Sequence, residues 1–208
     1  MSKALFLPGA GGRLSFWQPV SRQLDSRIEP VVLAWPGFGD EPRDDSIEDL
    51  TGLAAYVLAL MDGPCDLVAQ SMGGVIAMSL ALEHPELVTR LVLTGTSGGI
   101  DASRFGGEDW RAVERTRTAS EQAPTWFIDD HTDLTSRIAS ITAPALLIWG
   151  EDDRISPPAA GEYVASLLPL ARFAVVPGGH DHPSAHPGAT AALINQFLLA
   201  PLPSGGHA

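Results

Sequence analysis

Residues 67–78, "LVAQSMGGVIAM", run from an apolar stretch through a polar pair into two glycines and a second apolar stretch. A buried strand over 65–70 that turns at once into a helix over "GGVIAMSLALEHP" (73–85) leaves one residue standing at the bend. That residue is Ser71, its hydroxyl exposed at the helix N-terminus. So tight a turn needs small neighbours two positions before and two after, which Ala69 and Gly73 supply. Gly74 then allows the helix to lie close to the sheet. The backbone N–H of Met72, at the positive end of the helix, points to where an oxyanion would develop. A serine at this position is equally an ordinary helix N-cap, so the surrounding chain has to decide.

Outward from this stretch the chain alternates. Apolar runs at roughly 3–8, 30–35, 90–95, 144–149 and 172–177 join 65–70 as six strands, several of them closed by Pro or Gly. Helical spacing appears at 15–26, where Pro19 weakens it, and at 158–169 and 189–200. Over 46–63, Ser46 is the expected N-cap and Asp49 stands at the capping-box position, with apolar residues at 50, 53, 54, 57, 58 and 61. Strands that are apolar throughout and alternate with helices predict an α/β fold, a mostly parallel six-stranded sheet with helices on both faces. Residues 97–141 break the rhythm with "SGG", "FGG" and scattered charges, and read as a short insertion over one edge of the sheet. One domain over 1–200 is expected, with 201–208 as a flexible tail.

Composition narrows the class. The 208 residues carry 25 acidic and 13 basic side chains, a formal charge of −12, which repels phosphate backbones and anionic bilayers. A small-molecule substrate is therefore expected, with neither nucleic acid nor membrane as partner; oligomeric state is not legible. Cys65 is the only cysteine, so no internal disulfide and no thiolate cluster for zinc can form. The opening "MSKALFLPGAGG" has a four-residue apolar run, far short of a signal-peptide core. No stretch approaches the ~20 apolar residues that span a bilayer. A cytoplasmic protein is the expectation.

Ligands of such sheets bind at the carboxyl ends of the strands. There stand Gly9, Ala10, Gly11 and Gly12 after the first strand and Ser71 after the third. Glu151, Asp152 and Asp153 follow the fifth, and His180 follows the sixth. A serine hydroxyl is a poor nucleophile until a base takes its proton, and His180, following the flexible pair Gly178–Gly179, is the natural partner. The stretch "GGHDHPSAH" (178–186) also offers His180, Asp181, His182 and His186 as metal ligands. Pro183 and Pro187 restrict that backbone, and no second histidine cluster completes a site. One working imidazole with bystanders is the preferred reading, with no metal and no cofactor.

With "FLPGAGG", "WPGFGD", "AQSMGGVIA", "LLIWGEDDRISP" and "VVPGGHDHP" in this order, the chain resembles the α/β-hydrolase-fold superfamily of serine esterases and lipases over roughly residues 3 to 199. The resemblance implies that fold without its first two strands, a small lid at 97–141, and a triad of Ser71 as nucleophile, His180 as general base and Asp153 as its orienting acid. Asp153, rather than Asp152, falls on the family's Gly-x-x-Asp pattern. The oxyanion hole falls on the N–H groups of Ala10 and Met72. Ala69 replaces the first glycine of the family's Gly-x-Ser-x-Gly, and Pro8 stands where a histidine is usual before Gly9.

Phe16, Trp17, Trp110, Trp126 and Phe127 are the expected substrate-binding residues, with Trp35 and Phe38 flanking a loop on the same rim. The expected pocket is apolar with no fixed arginine clamp, suited to a small ester, lactone or thioester. Rival readings are carbon–carbon bond hydrolysis or cofactor-free perhydrolysis by the same triad, a non-catalytic ligand-binding protein, and a metal-dependent hydrolase.

Overall fold

Strand residues sort by parity into two cores. Leu5, Leu7, Leu67, Ala69, Leu91, Leu93, Leu147 and Trp149 point to one face, while Ala4, Phe6, Val68, Val92, Leu146 and Ile148 point to the other. This is the two-residue period of a pleated strand, with both faces buried. Each fully buried Leu or Ile here stabilises the fold by about 2 kcal/mol. The computed structural model describes residues 2–96 and 99–202. The expected tail from residue 203 onward, and Ser97 and Gly98 of the expected insertion, lie outside the described residues.

The six strands are β1 (Ser2–Leu7), β2 (Ile28–Val32), β3 (Cys65–Gln70), β4 (Val88–Thr94), β5 (Ala145–Gly150) and β6 (Ala171–Val176). They form one sheet in the order β2-β1-β3-β4-β5-β6, and every pairing is parallel. The helices are α1 (Gln18–Ser21), α2 (Leu50–Ala59), α3 (Met72–Glu83), α4 (Arg111–Glu121), α5 (Pro158–Leu167), α6 (His182–Ala185) and α7 (Pro187–Leu198). Leu53, Val57, Ile76 and Val164 of α2, α3 and α5 fill the first core; Val20, Ile194 and Phe197 of α1 and α7 fill the second. Among the described residues no helix is long and apolar enough to cross a membrane.

Three expectations need correction. The helix over 46–63 begins later, at Leu50, because Asp49 accepts the Gly52 N–H at 2.7 Å and is itself the cap, while the Ser46 hydroxyl turns to Asp44. The expected helix over 15–26 is a 3-10 turn (Leu14–Phe16) followed by the single turn α1, in which Pro19 occupies one of the first two positions. The segment after β4 does not lie over a sheet edge. It leaves between β4 and β5, two neighbouring interior strands, and so rises over the carboxyl ends of the sheet. It holds α4 and short 3-10 turns at Ala102–Phe105, Trp126–Asp129 and Ile138–Ser140.

The strand order also fixes where a ligand can sit. The chain steps from β1 outward to β2 and then returns across β1 to β3. Loops after β1 and β3 therefore part in opposite directions, which opens a crevice between their carboxyl ends. The glycine loop at 9–12 and Ser71 occupy the two sides of that crevice.

Candidate active site

Ser71 sits at φ 51° and ψ −119°, one of two non-glycine residues with positive φ among those described. A side-chain-bearing residue held there costs of order 1–3 kcal/mol and persists only where its surroundings impose it. Those surroundings are visible. The Ser71 N–H donates to Thr94 O at 3.0 Å, and Ser71 O accepts from the Thr96 hydroxyl at 2.7 Å and from Gly74 N at 2.9 Å. A Cβ added to Gly73 would lie 2.5 Å from Pro8 O and 2.7 Å from Leu7 O, and one at Gly74 would strike Thr96. The glycine pair thus lets α3 start against the ends of β1 and β4. As the first residue of α3, Met72 has an N–H with no intrahelical acceptor.

The other groups arrive from separate strand ends. His180 follows β6 after Gly178, whose φ is 111°. Its Nδ1 lies 2.9 Å from Asp153 Oδ2 and 3.1 Å from Oδ1. The Asp153 side chain has no solvent exposure, and its Oδ1 also accepts the N–H groups of Ile155 at 3.0 Å and Ser156 at 2.9 Å. Glu151 and Asp152 are exposed, so of the three acids after β5 only Asp153 is turned to the imidazole. Gly95, at φ 49°, makes room for the pair: a Cβ there would meet Asp153 Oδ2 at 3.0 Å and His180 Nδ1 at 3.3 Å. On the far side of Ser71 the glycine loop closes in, and a Cβ at Gly9 would stand 3.0 Å from Ser71 Cβ.

Two clefts meet at Ser71. The larger, about 600 Å³, has Val75, Ile100, Trp110 and Phe127 among its walls, and Asp101, Asp109 and Asp130 among its charged lining. The smaller, about 370 Å³, is bounded by the loop from Pro8 to Arg13, by Phe16 and by Arg117. Ala10, Ser71, Trp110, Ile155 and His180 line both. Their combined size suits a small organic ligand.

The expected substrate-binding residues divide. Trp110 and Phe127 line the larger cleft and Phe16 the smaller. Trp17 does not reach either. It is wholly buried in the second core, edge-on to Phe6 and Phe16, with its indole N–H donating to Leu7 O at 2.9 Å. Trp126 lines neither cleft and instead packs edge-on against Phe38 and Phe127. Trp35 and Phe38 are fully buried beneath the glycine loop rather than on its rim. Against the expectation of no fixed arginine, Arg111 lines the larger cleft, its Nε donating to Ile128 O at 3.0 Å and its guanidinium 4.9 Å from the Trp110 ring centre. Its Trp-Arg adjacency is visible in the sequence, but its fixed carbonyl partner is 17 residues away.

The three clustered histidines have separate surroundings. His182 is wholly buried, with Nδ1 3.2 Å from the Thr190 hydroxyl, and burial pushes its pKa down to about 4. His186 is exposed, and Asp181 is an exposed wall of the smaller cleft. Among the described residues, no three His, Cys, Asp or Glu side chains are grouped to hold a metal ion. Burial also raises the Cys65 thiol to about 11, which keeps it protonated and unreactive.

Comparison with known proteins agrees with this architecture. A family model described as alpha/beta hydrolase family matches residues 4–136, and a second, described as alpha/beta hydrolase fold, matches 99–183. The biotin biosynthesis bifunctional protein BioHC of Teredinibacter turnerae is 26% identical over 97% of this chain, which spans only 45% of that longer protein. The pimeloyl-[acyl-carrier protein] methyl ester esterase of Neisseria meningitidis is 24% identical, covering 99% of this chain and 80% of the esterase. A crystal structure of a hydrolase from Pseudomonas aeruginosa superposes with a TM-score of 0.76 at 24% identity, covering 96% of this chain and 90% of that one. A six-stranded parallel sheet, a strained serine at its switch point and a family match over more than half of its length agree: the chain belongs to the alpha/beta hydrolase family.

Proposed function

We propose that this hydrolase cleaves a small, largely apolar ester, lactone or thioester through an acyl-enzyme on Ser71. The observation that carries this reading is the contact of His180 Nδ1 with the buried Asp153 carboxylate at 2.9 Å, beside clefts that Ser71 and His180 share. With Nδ1 engaged, Nε2 is the nitrogen left to act as base. Ser71 Oγ bonds to the substrate carbonyl carbon as His180 Nε2 takes its proton, and the carbonyl π electrons move onto oxygen. The N–H groups of Ala10 and Met72 stabilise that oxyanion, each by about 3 kcal/mol. Collapse of the adduct breaks the bond to the leaving group, which departs as an alcohol or thiol carrying the proton from His180. Water then repeats the sequence, losing a proton to His180 and releasing the carboxylic acid, while Ser71 regains its hydrogen.

Asp153 holds the ring and stabilises its charged form. The backbone N–H groups of Ile155 and Ser156 fix its side chain in place. The apolar wall formed by Val75, Ile100 and Phe127 supports an uncharged acyl chain. That a relative at 24% identity is an esterase supports ester hydrolysis in particular. The reaction as read takes a small molecule in the cytoplasm and calls for no metal or organic cofactor. Turnover of p-nitrophenyl butyrate tests it: Ser71→Ala is expected to lose at least ~10³-fold in kcat. A variant retaining native turnover would refute the assignment.

A further inference from the structure

Trp35 is wholly buried, and its indole Nε1 donates to the carbonyl oxygen of Gly9 at 3.0 Å. The Gly12 N–H donates to the same oxygen, also at 3.0 Å. That carbonyl shares a peptide plane with the N–H of Ala10. No peptide bond among the described residues is cis, and in a trans unit C=O and N–H point to opposite sides. Two donors gripping Gly9 O on one side therefore aim the Ala10 N–H to the other. No backbone carbonyl among the described residues accepts a hydrogen bond from that N–H. Ala10 lines both clefts beside Ser71, and Gly9 packs on the Ser71 Cβ.

The two grips differ in kind. Gly12 belongs to the same glycine loop and moves with it. Trp35 reaches in from the chain after β2, and its own backbone N–H donates to Gly12 O at 2.8 Å. One residue thus ties the loop at both ends from a buried position. Phe38, whose N–H donates to Trp35 O at 3.0 Å, packs against Gly12 at φ 66°, where a Cβ would strike its ring.

We propose that Trp35 is a positioning residue for the reaction: its indole N–H fixes the Gly9–Ala10 peptide so that the Ala10 N–H is preorganised as an oxyanion donor. This rests on the serine-hydrolase reading and deepens it. Preorganised donors act on charge that develops in the transition state, so their loss appears in kcat rather than KM.

The test replaces Trp35 by 3-benzothienylalanine, a sulfur isostere that keeps the ring shape and lacks the N–H, alongside Trp35→Phe. Hydrolysis of p-nitrophenyl butyrate, inhibition by n-butylboronic acid and by butyrate, and thermal melting are measured for each. For the isostere, kcat is expected to fall about tenfold with KM within about twofold, since Gly12 still holds Gly9 O. Affinity for the tetrahedral boronate should fall in step while that for butyrate holds. A kcat within about twofold of native, or a loss confined to KM, overturns the inference. Trp35→Phe should show the same split, with a lower melting temperature from its smaller ring. Native turnover by Ser71→Ala would instead overturn the serine-hydrolase reading and this inference with it. Loss of turnover in Ser71→Ala with an unaffected isostere overturns this inference alone.

Discussion

Helices α3 and α4 both border the larger cleft and are built in opposite ways. In α3, nine of twelve residues are buried, and its glycines meet the backbone of β1 and the side chain of Thr96. In α4, "RAVERTRTASE", only Thr118 is buried. Its contacts are mostly polar: ion pairs of Arg117 with Glu114 and Glu121, of Arg115 with Asp129 and of Glu121 with Arg13, and bonds from Arg117 to Ala10 O at 2.9 Å and from Arg111 to Ile128 O at 3.0 Å. Apolar burial is not screened by salt and is collectively large, whereas an exposed ion pair such as Arg115–Asp129 is worth ~0–1 kcal/mol. The strand-end floor that presents Ser71 and His180 is therefore held mainly by apolar burial, and α4 above it mainly by polar contacts.

The sharpest way to break this contrast is a side chain at Gly73. Val there would drive carbon into the backbone oxygens of Leu7 and Pro8, which cannot move without shifting β1. Gly73→Val should lose at least about 3 kcal/mol in denaturant unfolding, or fail to fold. A stable, active variant would mean that the close start of α3 is not needed.

Acid is the next probe, because His182 sits in the floor's second face as a neutral ring. Its pKa falls from 6.5 unfolded to about 4 folded, through burial. Above pH 6.5 both states are neutral and the residue has no pH effect. Below that, the unfolded chain binds a proton that the fold refuses, so stability declines down to about pH 4. The loss should reach roughly 3 kcal/mol. Unfolding midpoints between pH 7 and 4 would show it, and His182→Gln should flatten that part of the profile. An unchanged slope in the variant would assign the acid sensitivity elsewhere.

The smallest effect belongs to the upper layer. Arg115→Ala removes the pair with Asp129, whose side chains are 52% and 77% exposed. It should change unfolding free energy by less than about 0.5 kcal/mol. A loss as large as that expected at Gly73 would show the ion pair to matter as much as the close packing of α3.

The same divide governs what could be read from the sequence. The interior strands were legible, because a parallel sheet covered on both faces demands uninterrupted apolar runs such as "ALLIWG". The edge strand β2, expected at 30–35, instead lies at Ile28–Val32 and carries the exposed Glu29 and Pro30. Ser71 and His180 were legible as residues that follow strands, whereas topology left Glu151, Asp152 and Asp153 open and only the family resemblance singled out Asp153. Helix α2 was legible in its apolar period but not in its start, where Ser46 and Asp49 are both good caps and only the Gly52 N–H decides. Trp17 was misread because its neighbour Phe16 does face a cleft: adjacent aromatics point to opposite sides, and no local pattern says which. Trp126 and Arg111 were illegible for a different reason. Their surroundings come from 3-10 turns and ion pairs that leave no periodic signature.

The central claim is that the strained serine at the switch point is the group that bonds to substrate carbon. Incubation with a fluorophosphonate, followed by intact mass and peptide mapping, tests this most directly. A single phosphonyl adduct on Ser71, loss of esterase turnover in proportion to labelling, and no adduct in Ser71→Ala are expected. Equal labelling of the Ser71→Ala protein, or an adduct on another residue that tracks the loss of turnover, would contradict it.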